Sequence, residues 1–266
     1  MKQFATCTTS WDDGYPADQH IAELLAKYGL TGTFYIPIEN SRPVMATRKI
    51  RELGETFEVG AHTTHHVVLT EVSKPSAENE IRESKKRLEN IVGNPCDTFC
   101  FPKGRFSHYH LDMIRRAGFR SARTVELLST QFPIQRAGIH LIPTTVQAKP
   151  HHWSAYVKNC GKRLSFKSLG NLILHARSQN WAETACSMLQ VVARQGGVFH
   201  LWGHSWEIEE QQQWPELEWV LREMRELKSV APCVPNSRLA SSLSQAGTAG
   251  STESPQEAKP PCARER

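Results

Sequence analysis

No run of the 266-residue sequence is apolar for long enough to cross a membrane. Its first residues, Met1-Lys2-Gln3-Phe4, lead into strand-forming sequence without an apolar leader stretch. A cytoplasmic location and no membrane partner are therefore expected. Strong charge of one sign is also missing: 32 basic residues against 27 acidic ones leave a net charge of +5. The densest basic run, Lys85-Lys86-Arg87, lies among Glu80, Glu83 and Glu89, the pattern of a solvated helix face, so no nucleic-acid partner is expected. The seven cysteines are odd in number and form no C-x-x-C pair, which points to reduced thiols rather than a disulfide framework. No internal repeat is visible, and nothing in the sequence assigns an oligomeric state.

What is present is enough to build a core. Hydrophobic residues make up 39% of a chain long enough for one large domain or two small ones. The β-branched stretch at 5–9 favours a strand. Apolar periodicity with Gly or Pro stops predicts helices over 17–27, 45–53, 76–92, 108–117, 166–177, 181–194 and 215–228. Strands are predicted at 33–36, 56–59, 98–101, 121–125, 139–146 and 198–202, with a further short one at 230–234. Strands alternating with helices imply parallel pairing and an α/β fold. Beyond 241 the sequence is Ser, Gly, Pro, Gln and Glu with almost no apolar content, the composition of a disordered tail. The expected division is one domain over 4–240 and a tail over 241–266.

Two stretches carry chemistry. In Thr9-Ser10-Trp11-Asp12-Asp13-Gly14 two carboxylates sit side by side at the end of the first strand. Adjacent acids repel, so a buried pair needs a cation or a shared proton, whereas an exposed pair would be an ordinary Asp-Gly turn. In Gly60-Ala61-His62-Thr63-Thr64-His65-His66, His62 and His66 stand four apart, and one helical turn would put both imidazoles on one face. Two neutral imidazoles and one carboxylate make a three-ligand site for a divalent transition metal, with positions left for water and substrate. Both stretches directly follow a predicted strand, where a β/α barrel places its active site.

These two stretches resemble the first two motifs of the polysaccharide deacetylases, the NodB-like domains that remove acetyl groups from N- or O-acetylated sugars. Phe99-Cys100-Phe101-Pro102-Lys103-Gly104 is similar to the third motif. The resemblance covers roughly 4–235 and implies a distorted, incomplete (β/α) barrel. It implies Asp13, His62 and His66 as metal ligands, zinc first, with cobalt or nickel also suited. Asp12 would be the general base that takes a proton from the attacking water. The backbone N–H of Lys103, after Pro102, would help bind the oxyanion. The acid would be a histidine of the last barrel strand, His204 ahead of His200, because His204 lies level with the other motifs. The implied reaction is cleavage of a non-peptide C–N bond, such as the N-acetyl group of an amino sugar or a small linear or cyclic amide.

The sequence departs from the family pattern at three points. Cys100 replaces the third-motif arginine that orients the base, with Lys103 or Arg105 as candidate substitutes. Residues 139–147 hold no carboxylate for the fourth motif. Lys103 replaces the aromatic that usually follows the proline. Trp202 and Trp206 are read as a substrate wall, His65 as a residue turned away from the metal, and His151, His152 and Trp153 as a surface loop. Two rival readings follow: a degenerate barrel that binds metal or sugar without turnover, and a cysteine hydrolase.

Overall fold

The computed structural model describes residues 4–150 and 180–241. Its elements are β1 (Ala5–Asp12), α1 (Asp18–Lys27), β2 (Thr33–Ile36), α2 (Thr47–Gly54), β3 (Glu58–Ala61), α3 (Lys74–Val92), β4 (Thr98–Cys100) and α4 (His108–Arg116). They continue as β5 (Ser121–Arg123), β6 (Ile134–Arg136), β7 (Ile139–Ile142), β8 (Val146–Gln147), α5 (Trp181–Gln195), β9 (Gly197–Gly203), α6 (Ser205–Glu210) and α7 (Trp214–Glu226). The helix predicted at 166–177, the tail and the His151-His152-Trp153 loop lie outside the described residues.

The strands form one curled sheet in the order β6-β7-β5-β4-β3-β2-β1-β9-β8, parallel except where β6 runs antiparallel to β7. β1 lies between β2 and β9 and is longer than the expected 5–9, because Ser10, Trp11 and Asp12 pair with Thr33, Phe34 and Tyr35 of β2. Every residue of β1 is buried, as a strand covered on both faces must be. The sheet does not close strand to strand. A loop bridges the gap: Leu128 N–H donates to Thr145 O (2.7 Å) and Val198 N–H to Thr130 O (3.0 Å). The distorted, incomplete barrel is thus borne out.

The expected strand 139–146 divides at Pro143 into β7 and β8, since proline has no N–H for the ladder. β6 and α6 were not expected from the sequence. The predicted strand at 230–234 reduces to a single bridge between Cys7 and Cys233. Glu80 is not on a solvated face; it is buried against the barrel. No described helix is long and apolar enough to cross a membrane.

The segment after α7 seals the base of the barrel with polar contacts. Asn236 is fully buried; its Nδ2 donates to Tyr35 Oη (2.9 Å), and its Oδ1 accepts from Thr8 Oγ1 (2.8 Å). Asn236→Ala would remove the acceptor of the Thr8 hydroxyl and one of the two partners of the Tyr35 hydroxyl, which also bonds Thr98 Oγ1 at 2.8 Å, among fully buried residues. The expected loss is about 1–3 kcal/mol of stability, measured by denaturant unfolding; an unchanged midpoint would contradict this role for Asn236.

Candidate active site

The aspartate pair lies where β1 ends. Asp13 has φ 78° and Gly14 φ 60°, so the chain turns sharply off the strand. A Cβ on Gly14 would lie 2.7 Å from Ile36 Cγ2, so the turn needs glycine both for its conformation and for its packing on β2. Asp12 and Asp13 are only 3% and 5% exposed, so the solvated-turn alternative does not apply.

The expected helical turn at 62–66 is not formed. These residues make an irregular loop after β3, with Thr63 (φ 64°) and His66 (φ 52°) in left-handed conformations. Glu80 of α3 shapes this loop: its Oε2 accepts from the N–H groups of Thr64 and His65, both at 2.9 Å. Glu80 Oε1 lies 2.6 Å from His65 Nδ1, so His65 turns away from the other two imidazoles. The loop still brings His62 and His66 together, with ring centroids 4.8 Å apart.

His62 Nδ1–H donates to the Cys100 carbonyl at 2.8 Å, which turns Nε2 toward Asp13. His62 Nε2 and His66 Nε2 lie 3.8 and 3.2 Å from Asp13 Oδ1. Burial, reinforced by His66, lowers the His62 pKa to about 4, so this imidazole is neutral at neutral pH. Asp13 Oδ2 accepts from Trp206 Nε1–H at 2.9 Å, whereas Asp13 Oδ1 is buried with no hydrogen-bond partner among the described residues. An orphaned carboxylate oxygen facing two imidazole nitrogens, with the donor atoms all within 4.8 Å of one another, fits a divalent cation.

Asp12 is held differently. Its Oδ2 accepts from Arg123 Nη2, at the end of β5, and Arg123 is completely buried. Burial alone would raise the Asp12 pKa, but Arg123 and then His62 and His204 outweigh it and hold the carboxyl near 2. Neither expected substitute for the third-motif arginine takes this place. Arg105 is exposed and pairs with Glu71 at 2.6 Å. Lys103 lines the cavity but makes no ion pair with Asp12. Cys100 Sγ lies 3.8 Å from Asp12 Oδ2, and burial pushes this thiol well above its usual pKa, which removes its promise as a nucleophile.

His200 and His204 separate cleanly. His200 lies inside β9, fully buried, with Nε2 2.9 Å from Ser10 Oγ and Nδ1 2.8 Å from Pro143 O. Burial and Arg123 lower its pKa to about 3, so it is a neutral core residue. His204 follows β9 and faces the cavity, its Nε2 3.9 Å from Asp12 Oδ2 and 4.0 Å from Asp13 Oδ2. Its Nδ1–H donates to Glu207 Oε2 at 2.8 Å. Burial disfavours the imidazolium, but Glu207, Asp12 and Asp13 overcome it and raise the His204 pKa. Glu207 is held in turn by Gln147 Nε2 (2.9 Å) and by Lys149 Nζ.

The cavity over these groups has a volume of about 400 Å³. Its walls include Phe101, Val125, Leu127, Trp202 and Trp206, so both expected tryptophans line it. Pro102, Lys103 and Gly104 form a tight turn at its edge: Gly104 N–H donates to Phe101 O and Arg105 N–H to Pro102 O. Among the described residues the Lys103 N–H has no acceptor.

Known proteins resemble this chain in sequence over its first half and in fold over most of its length. Residues 3–122 match the polysaccharide deacetylase family, so the resemblance read from the motifs is borne out over that stretch. A Bacillus subtilis protein named as a polysaccharide deacetylase, YxkH, is 22% identical over 121 residues, 44% of this chain and 43% of its own length. The match thus spans less than half of that relative. Among solved structures, a Mycobacterium smegmatis protein named as a polysaccharide deacetylase superposes over 99% of this chain and 97% of its own, with TM-score 0.63 at 12% identity. The chitin deacetylase of Colletotrichum lindemuthianum covers 89% and 88%, with TM-score 0.57 at 14% identity. These structural likenesses establish the fold.

Arg123 is where the account is most exposed to test. Arg123→Met would leave Asp12 buried without its counterion, and breaking a buried pair costs about 3–5 kcal/mol. Unfolding of the metal-free protein at neutral pH should show a loss of that order. The loss should shrink toward acid pH, because a protonated Asp12 needs no counterion. Arg105→Met should change little. Equal effects of the two substitutions would contradict the assignment.

Proposed function

We propose that this chain is a metal-dependent hydrolase that removes the acetyl group from an N-acetylated amino sugar by cleaving a non-peptide C–N bond. One observation carries the reading: an orphaned carboxylate–imidazole triad, an ionised carboxylate and a carboxylate-paired histidine open onto one tryptophan-walled cavity. Asp13, His62 and His66 would hold the ion, zinc first, with cobalt or nickel also compatible with these donors. When bound, the ion supplies Lewis-acid polarisation of the acyl carbonyl.

The protein's own groups do the rest. Asp12 Oδ1 is buried without a partner among the described residues while Oδ2 is fixed by Arg123, so Oδ1 is the atom left to take a proton from the attacking water. Arg123 keeps that carboxyl ionised and orients it. The Lys103 N–H, which has no acceptor among the described residues, would donate to the oxygen on which charge develops. His204 Nε2 gives a proton to the departing amine as the C–N bond breaks, and Glu207 fixes its tautomer through Nδ1. Trp202 and Trp206 give the sugar ring apolar faces to lie against. The working domain in this reading is 4–240, with 241–266 dispensable.

The non-catalytic binding reading rested on the missing arginine and the missing fourth-motif acid. Arg123 stands beside Asp12, and Glu207 stands beside His204, so both charges are present from other positions. A metal- or sugar-binding barrel without turnover has no need of either pair.

Asp12→Asn is expected to retain bound zinc and lose about 10²–10⁴-fold in hydrolysis of N-acetylated sugars, the usual cost of removing a general base. His62→Ala should lose both metal and activity. His204→Ala should keep the metal and slow hydrolysis most for substrates with poor leaving amines. Metal analysis and rate measurement on the same preparations check all three; an Asp12→Asn protein with undiminished rate would sink the catalytic assignment.

A further inference from the structure

The charges around the cavity balance in pairs, with one exception. Arg123 is matched by Asp12, and Lys149 by Glu207. Arg42, stacked 3.6 Å over the Trp206 ring, is matched by Glu210 at 2.8 Å. Asp13 faces the imidazoles at the metal site. Lys103 also lines the cavity, but among the described residues it makes no hydrogen bond or ion pair. With a divalent cation on the triad, the net charge facing a substrate is positive.

The backbone that carries Lys103 adds a second, independent argument. Lys103 has φ 56° and ψ 14°, the left-handed region, where glycine or asparagine would sit with less strain. The next residue is packed closely: a Cβ on Gly104 would lie 1.9 Å from Val125 Cγ2, so the backbone sits against the loop after β5. Pro102 fixes the residue before. A long cationic side chain thus occupies an unfavourable conformation on a rigid turn at the cavity edge. Strain held at a site that the surrounding packing enforces points to a use for the side chain itself.

We propose that Lys103 is a specificity residue whose ammonium group pairs with an anionic substituent, a carboxylate or a phosphate, carried by the acylated sugar. This rests on the proposed deacetylase reading and narrows its substrate class to acidic N-acyl sugars. The side chain acts in binding, separately from the backbone N–H of the same residue. Lys103→Met keeps that N–H and most of the side-chain length while removing the charge. Lys103→Glu reverses the charge.

The test uses the zinc-loaded full chain and a panel of N-acetylhexosamines that differ only in one substituent: the neutral parent, the 1-phosphate, the 6-phosphate and the 3-O-carboxyethyl ether. Binding is read from the fluorescence of the cavity tryptophans, and hydrolysis from amine release. Wild type should prefer at least one anionic sugar over the parent by about tenfold in both Kd and kcat/KM, the scale of a partly shielded ion pair. Lys103→Met should abolish that preference chiefly through KM, and Lys103→Glu should turn it into discrimination against the same sugar. Added salt should weaken the wild-type preference. Equal handling of neutral and anionic sugars by wild type, or a preference that survives in Lys103→Met, would overturn the proposal while leaving deacetylation standing. Charge-selective binding without hydrolysis would overturn the deacetylase reading and support the Lys103 subsite. Failure to bind any member of the panel would overturn both.

Discussion

Two neighbouring carboxylates buried at the end of one strand are the constraint on which this site depends. Neither Asp12 nor Asp13 can stay ionised away from water unless a positive charge meets it. The fold gives them different answers. Arg123, from the end of β5, is buried against Asp12 Oδ2 and lies over the face of Trp202, its guanidinium 4.5 Å from the ring centroid. Asp13 is met by the imidazoles of His62 and His66, by an indole N–H and, at 4.0 Å, by the His204 imidazole, and among the described residues its Oδ1 makes no hydrogen bond. The same pair of residue types thereby acquires two characters: a carboxylate neutralised within the protein, and a carboxylate that still calls for a cation.

The barrel's strand order makes this asymmetry workable. β1 lies between β2 and β9, so residues after β9 come beside the aspartate pair from one side, while the loops after β3 and β4 reach it from the other. α6 is seated by a hydrogen bond from Ser205 Oγ to Asp18 Oδ1 at 2.5 Å, with both residues fully buried. That contact sets the start of α6, and with it His204, Trp206 and Glu207. Burial, reinforced by the neighbouring Asp13 and Asp12, keeps the Asp18 carboxyl well above its usual pKa. Positioning therefore comes from packed strand ends and one short helix rather than from long surface loops.

The motif residues were legible in the sequence because they are local: Asp12-Asp13-Gly14 in one run, and His62 and His66 in another. That His204 lies at the end of its strand, level with the other motifs, and His200 inside it was legible too, from a strand whose length glycines bound. Their partners were harder to read. Arg123 is 111 residues from Asp12, and no short-range pattern joins them. The signal that could have found it was a lone charge inside a short strand predicted to be buried, where an unmatched arginine is too costly to leave unpaired. Glu207 stands three residues after His204, a spacing that could have been read as a helix-turn pair once α6 was recognised. The local conformation at 62–66 was misread because the loop is organised from outside by Glu80, which looked like part of a charged helix face. Helix and strand positions followed hydrophobic periodicity well; the divided strand at Pro143 and the loop that closes the barrel depend on tertiary contacts that periodicity does not encode.

In the proposed function Asp13, and not Asp12, holds the metal, because Arg123 has already neutralised its neighbour. A second set of donors, Asp12, His62 and Cys100, also lies close enough together to bind an ion, so the two alternatives are physically distinct. Anomalous diffraction at the zinc edge from crystals grown with zinc would decide between them directly. One strong peak bounded by Asp13, His62 and His66 is expected, with Asp12 still paired to Arg123. A peak bounded by Asp12, His62 and Cys100, with the Asp12–Arg123 contact broken, would contradict it.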